Sequence, residues 1–247
     1  MKYIINLAAA LVLGCTAASA QYMPTTEGKT FVTTQKITEG NVESDINGTV
    51  ISVQTAADGV ITARVEEKET IPGDLFSGEM STFSTYSYNP ADKVTTYTMM
   101  TADDFKAFIV DMLVQAASAS GHTPTEQDLI ELNKAMKVRG ELSMPLPEDP
   151  EMDATFDKSI LRCTMGTQNM TITISKGVYK GFEEIETPAG KFNCLKVEYA
   201  TKRAMGGPVE NLLSTTWFAK GVGVVKTVDT DKKGKVISEQ TLKSLAE

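Results

Sequence analysis

The chain has 247 residues, 41% of them hydrophobic, with 24 basic against 32 acidic side chains and a net charge of −8. That length suits one large β domain or two small ones with a buried core. An acidic balance without a lysine or arginine cluster excludes a nucleic-acid partner, because phosphate binding runs on clustered cations; it also argues against anionic membrane surfaces and mainly favours solubility.

At the start of the chain, Lys2 supplies a positive n-region, Ile4 to Leu13 an apolar stretch, and Ala18-Ser19-Ala20 a small-residue cleavage site before Gln21. Residues 1–20 therefore read as a signal peptide, and 21–247 as an exported chain, periplasmic or secreted. Val12-Leu13-Gly14-Cys15 offers a second route, a lipoprotein anchored to a membrane through Cys15. No other stretch approaches the roughly 18 apolar residues of a membrane helix, so no transmembrane segment is expected in the mature chain.

From Lys29 the pattern is that of strands: Lys29 to Ile37, Asn47 to Thr55, the turn Ala57-Asp58-Gly59, and Val60 to Glu67. Asp58-Gly59 is a hairpin signal, and the many threonines suit strands with one wet face. Ile71-Pro72-Gly73-Asp74 breaks the run. Ser81 to Tyr88 and Val94 to Met100 then flank an Asn-Pro turn.

The period now changes. Phe105, Phe108, Ile109, Met112, Leu113 and Ala116 recur at helical spacing behind Thr101 as N-cap, which predicts a helix from Ala102 to Ala117. After the Ser118–His122 linker, Thr123-Pro124-Thr125-Glu126 reads as N-cap, first-turn proline and capping-box glutamate of a second helix. That helix carries Leu129, Leu132 and Met136 on one stripe and is closed by Gly140. Leu142 to Pro150, rich in proline, reads as an irregular crossing. Strands resume at Ser159–Thr164, Asn169–Lys176, Gly181–Glu186, Lys191–Thr201, Leu213–Lys220, Val222–Thr230 and Lys235–Leu245. The even spacing on both sides of the helices predicts a single β-rich domain, 21–247, with a helical insertion over 101–138.

Thr187-Pro188-Ala189-Gly190 reads as a hairpin turn, with proline setting the first corner and glycine the corner of positive φ. Trp217 to Lys226 reads as two short strands broken at Gly221 and Gly223. With Gly181, Glu183, Phe192 and Phe218, these positions resemble the TapB-like family of exported Bacteroidetes-type proteins, related to a large domain-of-unknown-function family. The resemblance covers the last third of the chain. It implies a fold and an exported location, and it transfers no catalytic residue. Trp217, Phe218, Phe192, Pro188 and Gly190 are expected to be structural, with Trp217 as a core anchor.

Candidate chemistry is sparse. His122, the sole histidine, lies in a polar linker, where a solvated role outweighs a catalytic or zinc one. Cys163 and Cys194 have no cysteine partners at metal spacing. In an oxidising compartment they could form a disulfide, yet Cys163 alternates with Leu161 and Met165 on an inward face while Cys194 alternates with Phe192, Lys196 and Glu198. A pair of inert small hydrophobes is the alternative. Glu183, Glu184, Glu186 and Glu198 suit a wet strand face, with Glu183 the first carboxylate to check. Asp149, Glu151 and Asp153 lack the glycine and terminal glutamate of a calcium loop, Met205-Gly206-Gly207-Pro208 is a turn, and no phosphate loop is present. Neither a metal nor a cofactor is expected.

The expected fold is mainly β with a helical insertion (α+β): a curved antiparallel sheet or unclosed barrel with the helix pair on its concave side, an architecture that looks like the LolA-type carriers at the level of fold alone. A two-sheet sandwich with the helices outside is the alternative. The abundance of methionine, 12 residues, suggests core filling or a deformable apolar cavity. Two non-enzymatic functions follow. One is binding of an apolar ligand, a lipid or acyl chain, beside Phe105, Phe108, Ile109, Met112, Leu113 and Met136, with the helix pair as a lid. The other is service as an interaction module for an envelope protein, without a small ligand.

Overall fold

Alternation at a period of two runs through the strands and sets one face inward: Ile46, Gly48 and Val50 on one, Ser84, Tyr86 and Tyr88 on another, Leu195, Val197, Tyr199 and Thr201 on a third. The computed structural model describes residues 21–71, 78–205 and 207–246. The signal peptide, the Cys15 lipobox, most of the Ile71–Asp74 break and Gly206 of the Met205–Pro208 turn lie outside those residues.

The elements are β1 (Thr30–Ile37), β2 (Val42–Thr55), β3 (Ile61–Ile71), β4 (Gly78–Asn89), β5 (Val94–Met100), α1 (Ala102–Ala119), α2 (Glu126–Ala135), β6 (Met136–Gly140), β7 (Leu142–Pro147), β8 (Thr155–Phe156), β9 (Ser159–Met165), β10 (Gln168–Thr187), β11 (Gly190–Ala204), β12 (Glu210–Ala219), β13 (Gly223–Thr230) and β14 (Val236–Leu245). They build one antiparallel sheet in the order β6-β9-β10-β11-β12-β13-β14-β1-β2-β3-β4-β5-β7, with β8 beside β10. Two meanders, β1 to β5 and β9 to β14, are joined by the pairing of β14 with β1. The sheet curls into a nearly closed barrel with one unsealed seam. Across that seam the Ser143 amide donates to Ser159 Oγ at 3.1 Å and the Tyr179 hydroxyl to the Pro145 carbonyl at 2.7 Å, links between side chain and backbone in place of a strand ladder.

The two strands bordering the seam, β6 and β7, are consecutive in the chain and turn at Gly140. Its φ is 84°, and a Cβ there would collide with the Ile160 carbonyl, so the position requires glycine. Gly140 thus ends a strand and not the second helix. Met136 likewise leaves the helical stripe: it is extended, pairs with Met165 of β9 and is buried. The proline-rich crossing is strand β7, whose Leu142, Met144 and Leu146 are buried while Pro145 and Pro147 fall at intervening positions. An edge strand tolerates residues without an N–H. The second helix starts at Thr125, because Pro124 disfavours a helical Thr123 and the Asp128 carboxylate accepts from the Thr125 amide at 2.8 Å.

Of the two readings left open for the cysteines the structure has the unpaired one, and the expectation for Trp217 is corrected. Both cysteines are free and buried, Cys163 beside Leu161 and Met170, Cys194 beside Ala219, Val225 and Leu242, with strand β10 between their own strands. Trp217 is only partly buried. Its indole N–H donates to Glu183 Oε1, and the Lys196 and Lys226 ammoniums lie 5.5 and 5.9 Å from its ring, whereas its neighbour Phe218 is fully buried. Pro188 and Gly190 are exposed at their turn, and Phe192 is half-buried.

Helix α1 packs against both β4 and β6 and so spans the upper part of the seam. Thr101 caps it, with Asp104 closing the capping box and pairing with Arg64 at 2.5 Å. Among the described residues α2 has no buried side chain. At the other end of the barrel, Gln21–Pro24 enters the core. Tyr22 and Met23 are fully buried, the Tyr22 hydroxyl donates to the Glu148 carbonyl at 3.1 Å, and the Gly221 amide donates to the Gln21 carbonyl at 2.8 Å.

Candidate functional site: the barrel lumen

The inward faces of the strands do not meet across the barrel. They enclose a cavity of about 860 Å³, in the size range of small-molecule sites. Its floor is apolar, with Pro24, Phe31, Val65, Leu242 and Leu245, and the Tyr86 and Tyr97 rings stack above it at 4.7 Å. One wall is apolar as well: Met99 and Met100 where β5 ends, Phe105 and Phe108 from α1, Leu142 from β7, and Ile172 and Ile174 from β10.

The facing wall carries hydroxyls and amides. Tyr199 OH and Thr216 Oγ1 are 3.0 Å apart, and Thr216 meets Thr227 at 3.2 Å. One layer higher Thr201 meets Ser214 at 3.1 Å, and the Asp229 carboxylate accepts from Ser214 at 2.6 Å and Ser238 at 2.8 Å. Gln35 and Gln240 continue this side. The hydroxyls satisfy one another, as enclosed polar groups must, while their remaining lone pairs and protons are free for a guest.

Glu67 of β3 faces the same cavity. Burial and the neighbouring Glu69 push its carboxyl up to about 7. It also lines a side opening of about 280 Å³ with Phe108, Gln35 and Gln240. The tyrosines near it are held neutral: burial raises Tyr86 and Tyr97 well above the ordinary phenol value and Tyr199 to about 12.

Of the residues singled out from sequence, Phe105 and Phe108 line the cavity. Ile109 and Met136 are buried in the wall cluster, and Met112 and Leu113 pack against it. Glu67, Tyr97 and the hydroxyl wall escaped notice, although the alternation Ala63, Val65, Glu67 along β3 points the carboxylate inward once the face is known. His122 is exposed between the helices. Glu183 sits on the outer surface, held by Trp217 and, at 3.7 Å, Lys196. Burial raises both thiols, Cys194 to about 12 with Glu183 adding to the effect, which makes them poor nucleophiles. Among the described residues no three His, Cys, Asp or Glu side chains are grouped to hold a metal, and no helix is long and apolar enough to cross a membrane.

No curated protein matches the sequence. Among solved structures, a presumptive lipoprotein from Parabacteroides distasonis ATCC 8503 superimposes with a TM-score of 0.63 at 18% identity, covering 91% of this chain and 98% of that one. A presumptive exported protein with a YmcC-like fold from Bacteroides fragilis NCTC 9343 gives 0.62 at 15% identity with the same coverage, 91% and 98%. At such identities the likeness is one of fold. The sequence model of one family matches residues 76–242, from β4 through most of β14 and including every lumen wall except β1 to β3. That match spans more than half of the chain, and the protein belongs to the DUF3108-like family.

Proposed function

We propose that this protein is an exported, non-enzymatic binding protein that holds an amphiphile in its barrel lumen. The observation that carries this reading is the two-sided cavity of about 860 Å³, with methionine, phenylalanine and isoleucine side chains facing a wall of hydroxyls and amides. An acyl chain lies along the first wall and the polar end of the same molecule against the second. Methionine is suited to such a wall because its flexible thioether adapts to varied apolar shapes.

Export is read as cleavage before Gln21 or as lipidation at Cys15; intact mass decides between them. Within the DUF3108-like family the closer affiliation we favour is with the TapB-like proteins, on the Thr187–Gly190 turn and the Gly221–Lys226 run. An alternative role as an envelope interaction module would use the outer apolar side chains of Met152 and Phe182, 71% and 46% exposed. The two-sided cavity favours the binding reading.

Native mass spectrometry of protein taken from its own compartment is expected to show a bound mass that organic extraction releases. Replacing Phe108 and Met112 together by serine is expected to abolish uptake of a neutral apolar dye while leaving the strand signal in circular dichroism. Dye uptake unchanged by that double substitution, with no bound mass, overturns the proposal.

A further inference from the structure

The carboxylates around the lumen differ in what holds them. Glu39 stands in water at the mouth, Glu210 lies 4.0 Å from Arg203, Asp231 accepts from the Lys233 and Lys235 amides, and Asp229 is held by two serines. Glu67 lies deeper, and among the described residues no hydrogen bond or ion pair reaches its side chain. Among the described residues the cavity lining contains these five carboxylates, no lysine, and Arg203 as its one cationic group. Glu67 is half-buried, reached through the lumen and the side opening, and a sheltered carboxylate without a protein partner is one to which a ligand can supply what is missing.

From this geometry we infer that the lumen is a site for cationic amphiphiles: an ammonium head group sits on Glu67 beside the Tyr86 and Tyr97 rings, with its apolar chain along Phe105, Phe108 and Met99. This rests on the lumen reading above and specifies its ligand class. An ammonium supplies the missing counter-charge and donors to Glu67, the tyrosine faces add cation–π attraction, and the neighbouring hydroxyls accept the remaining protons. A fatty acid carboxylate would meet like charge from Glu67, Glu69 and Asp229 in a poorly screened space. A neutral alcohol would gain the apolar wall and hydrogen bonds to the hydroxyls, without the charge pairing at Glu67.

The test is calorimetric titration of the processed protein with dodecylamine, dodecanol and dodecanoate below their micelle concentrations at about pH 8, where an alkylammonium remains charged. Dodecylamine is expected to bind about tenfold or more tighter than dodecanol, with dodecanoate weakest. Glu67→Gln is expected to remove the preference for the amine, and an unchanged strand signal in circular dichroism shows that the variant is folded. The preference of the unsubstituted protein is expected to shrink as the pH falls from about 8 to about 5 and Glu67 takes up a proton. The charged or titratable groups facing Glu67 are Glu69 on its own strand, Tyr86 on β4 and Tyr97 on β5; Phe108 of α1, Gln35 of β1 and Gln240 of β14 carry no charge. Dodecanol or dodecanoate binding as tightly as the amine, or an amine preference unaffected by Glu67→Gln, overturns the ammonium site and leaves the lumen reading in place. Binding of none of the three overturns both.

Discussion

Glu67 occupies a register position that the hydrophobic pattern reserves for apolar side chains, and the stability of the fold bears the consequence. Its carboxyl protonates near 7, against about 4.5 for an ordinary glutamate. The native state therefore holds a proton that the unfolded chain has released between those values, and stability falls as the pH rises through that window. A shift of this size corresponds to about 2 to 3 kcal/mol once partial access to cavity water is allowed for. Glu67→Gln is accordingly expected to raise the thermal midpoint at neutral pH and flatten its dependence between about pH 5 and 8; equal pH slopes for the two proteins would count against this. A second contrast concerns neighbours on β12. Phe218 is fully buried, and Phe218→Ala is expected to cost about 3 to 5 kcal/mol. Trp217 lies on the outer face with Glu183 and two lysines, so Trp217→Ala is expected to cost only about 1 to 2 kcal/mol. Urea titration of both variants measures the difference, and a larger loss for Trp217→Ala would place the anchor on the wrong face.

Helix α1 acts as part of the barrel wall, and its N-terminus fixes it there. Asp104 is buried, which by itself would raise its carboxyl. Hydrogen bonds from Arg64 and Thr101 outweigh that and hold it below the ordinary aspartate value. Because the folded-state value is depressed, this contribution is present at neutral pH and is lost as the pH drops through the lowered value in strong acid. Asp104→Ala removes the capping box and strands the Arg64 guanidinium, with an expected loss of about 2 to 3 kcal/mol in chemical denaturation at neutral pH. A loss under about 0.5 kcal/mol would reduce the pair to surface decoration. Helix α2 has the same kind of capping box but, among the described residues, no buried side chain, and its amides are expected to exchange with deuterium well before those of β10 to β12.

For the molecule as a whole, the two ends of the barrel are closed differently. The Glu39, Arg203 and Glu210 end opens to water, while Tyr22, Met23 and Pro24 stop the other. Tyr22 lies 5.5 Å from the Lys220 ammonium, and its amide donates to Thr95 at 3.2 Å, so the segment links β5 to the β12–β13 turn. Tyr22→Ala is expected to cost about 3 to 5 kcal/mol and to admit dye from the floor of the lumen. Unaltered stability would make the segment a passive tail.

Local periodicity carried much of the architecture. Alternation located most strands of the two meanders, though it split β10, a single strand from Gln168 to Thr187, in two; the helical spacing from Phe105 to Ala116 located α1, and Thr187 to Gly190 formed the hairpin turn, all of them decided by backbone geometry and short-range sterics. The mainly β fold with a helical insertion was legible for that reason. What the residues near one another in sequence could not decide was which way the curved sheet closes. The pairing of β14 with β1, the recruitment of Met136 and Leu142 into strands on opposite sides of the seam, and the burial of Tyr22 all depend on partners far along the chain. Closure also decides which alternating face becomes the lumen, and so whether Glu67 faces open solvent or the sheltered cavity. A carboxylate at an alternating position has the same sequence signature in either case; only the tertiary structure, by drawing it from open solvent into a cavity, turns that position into a candidate site.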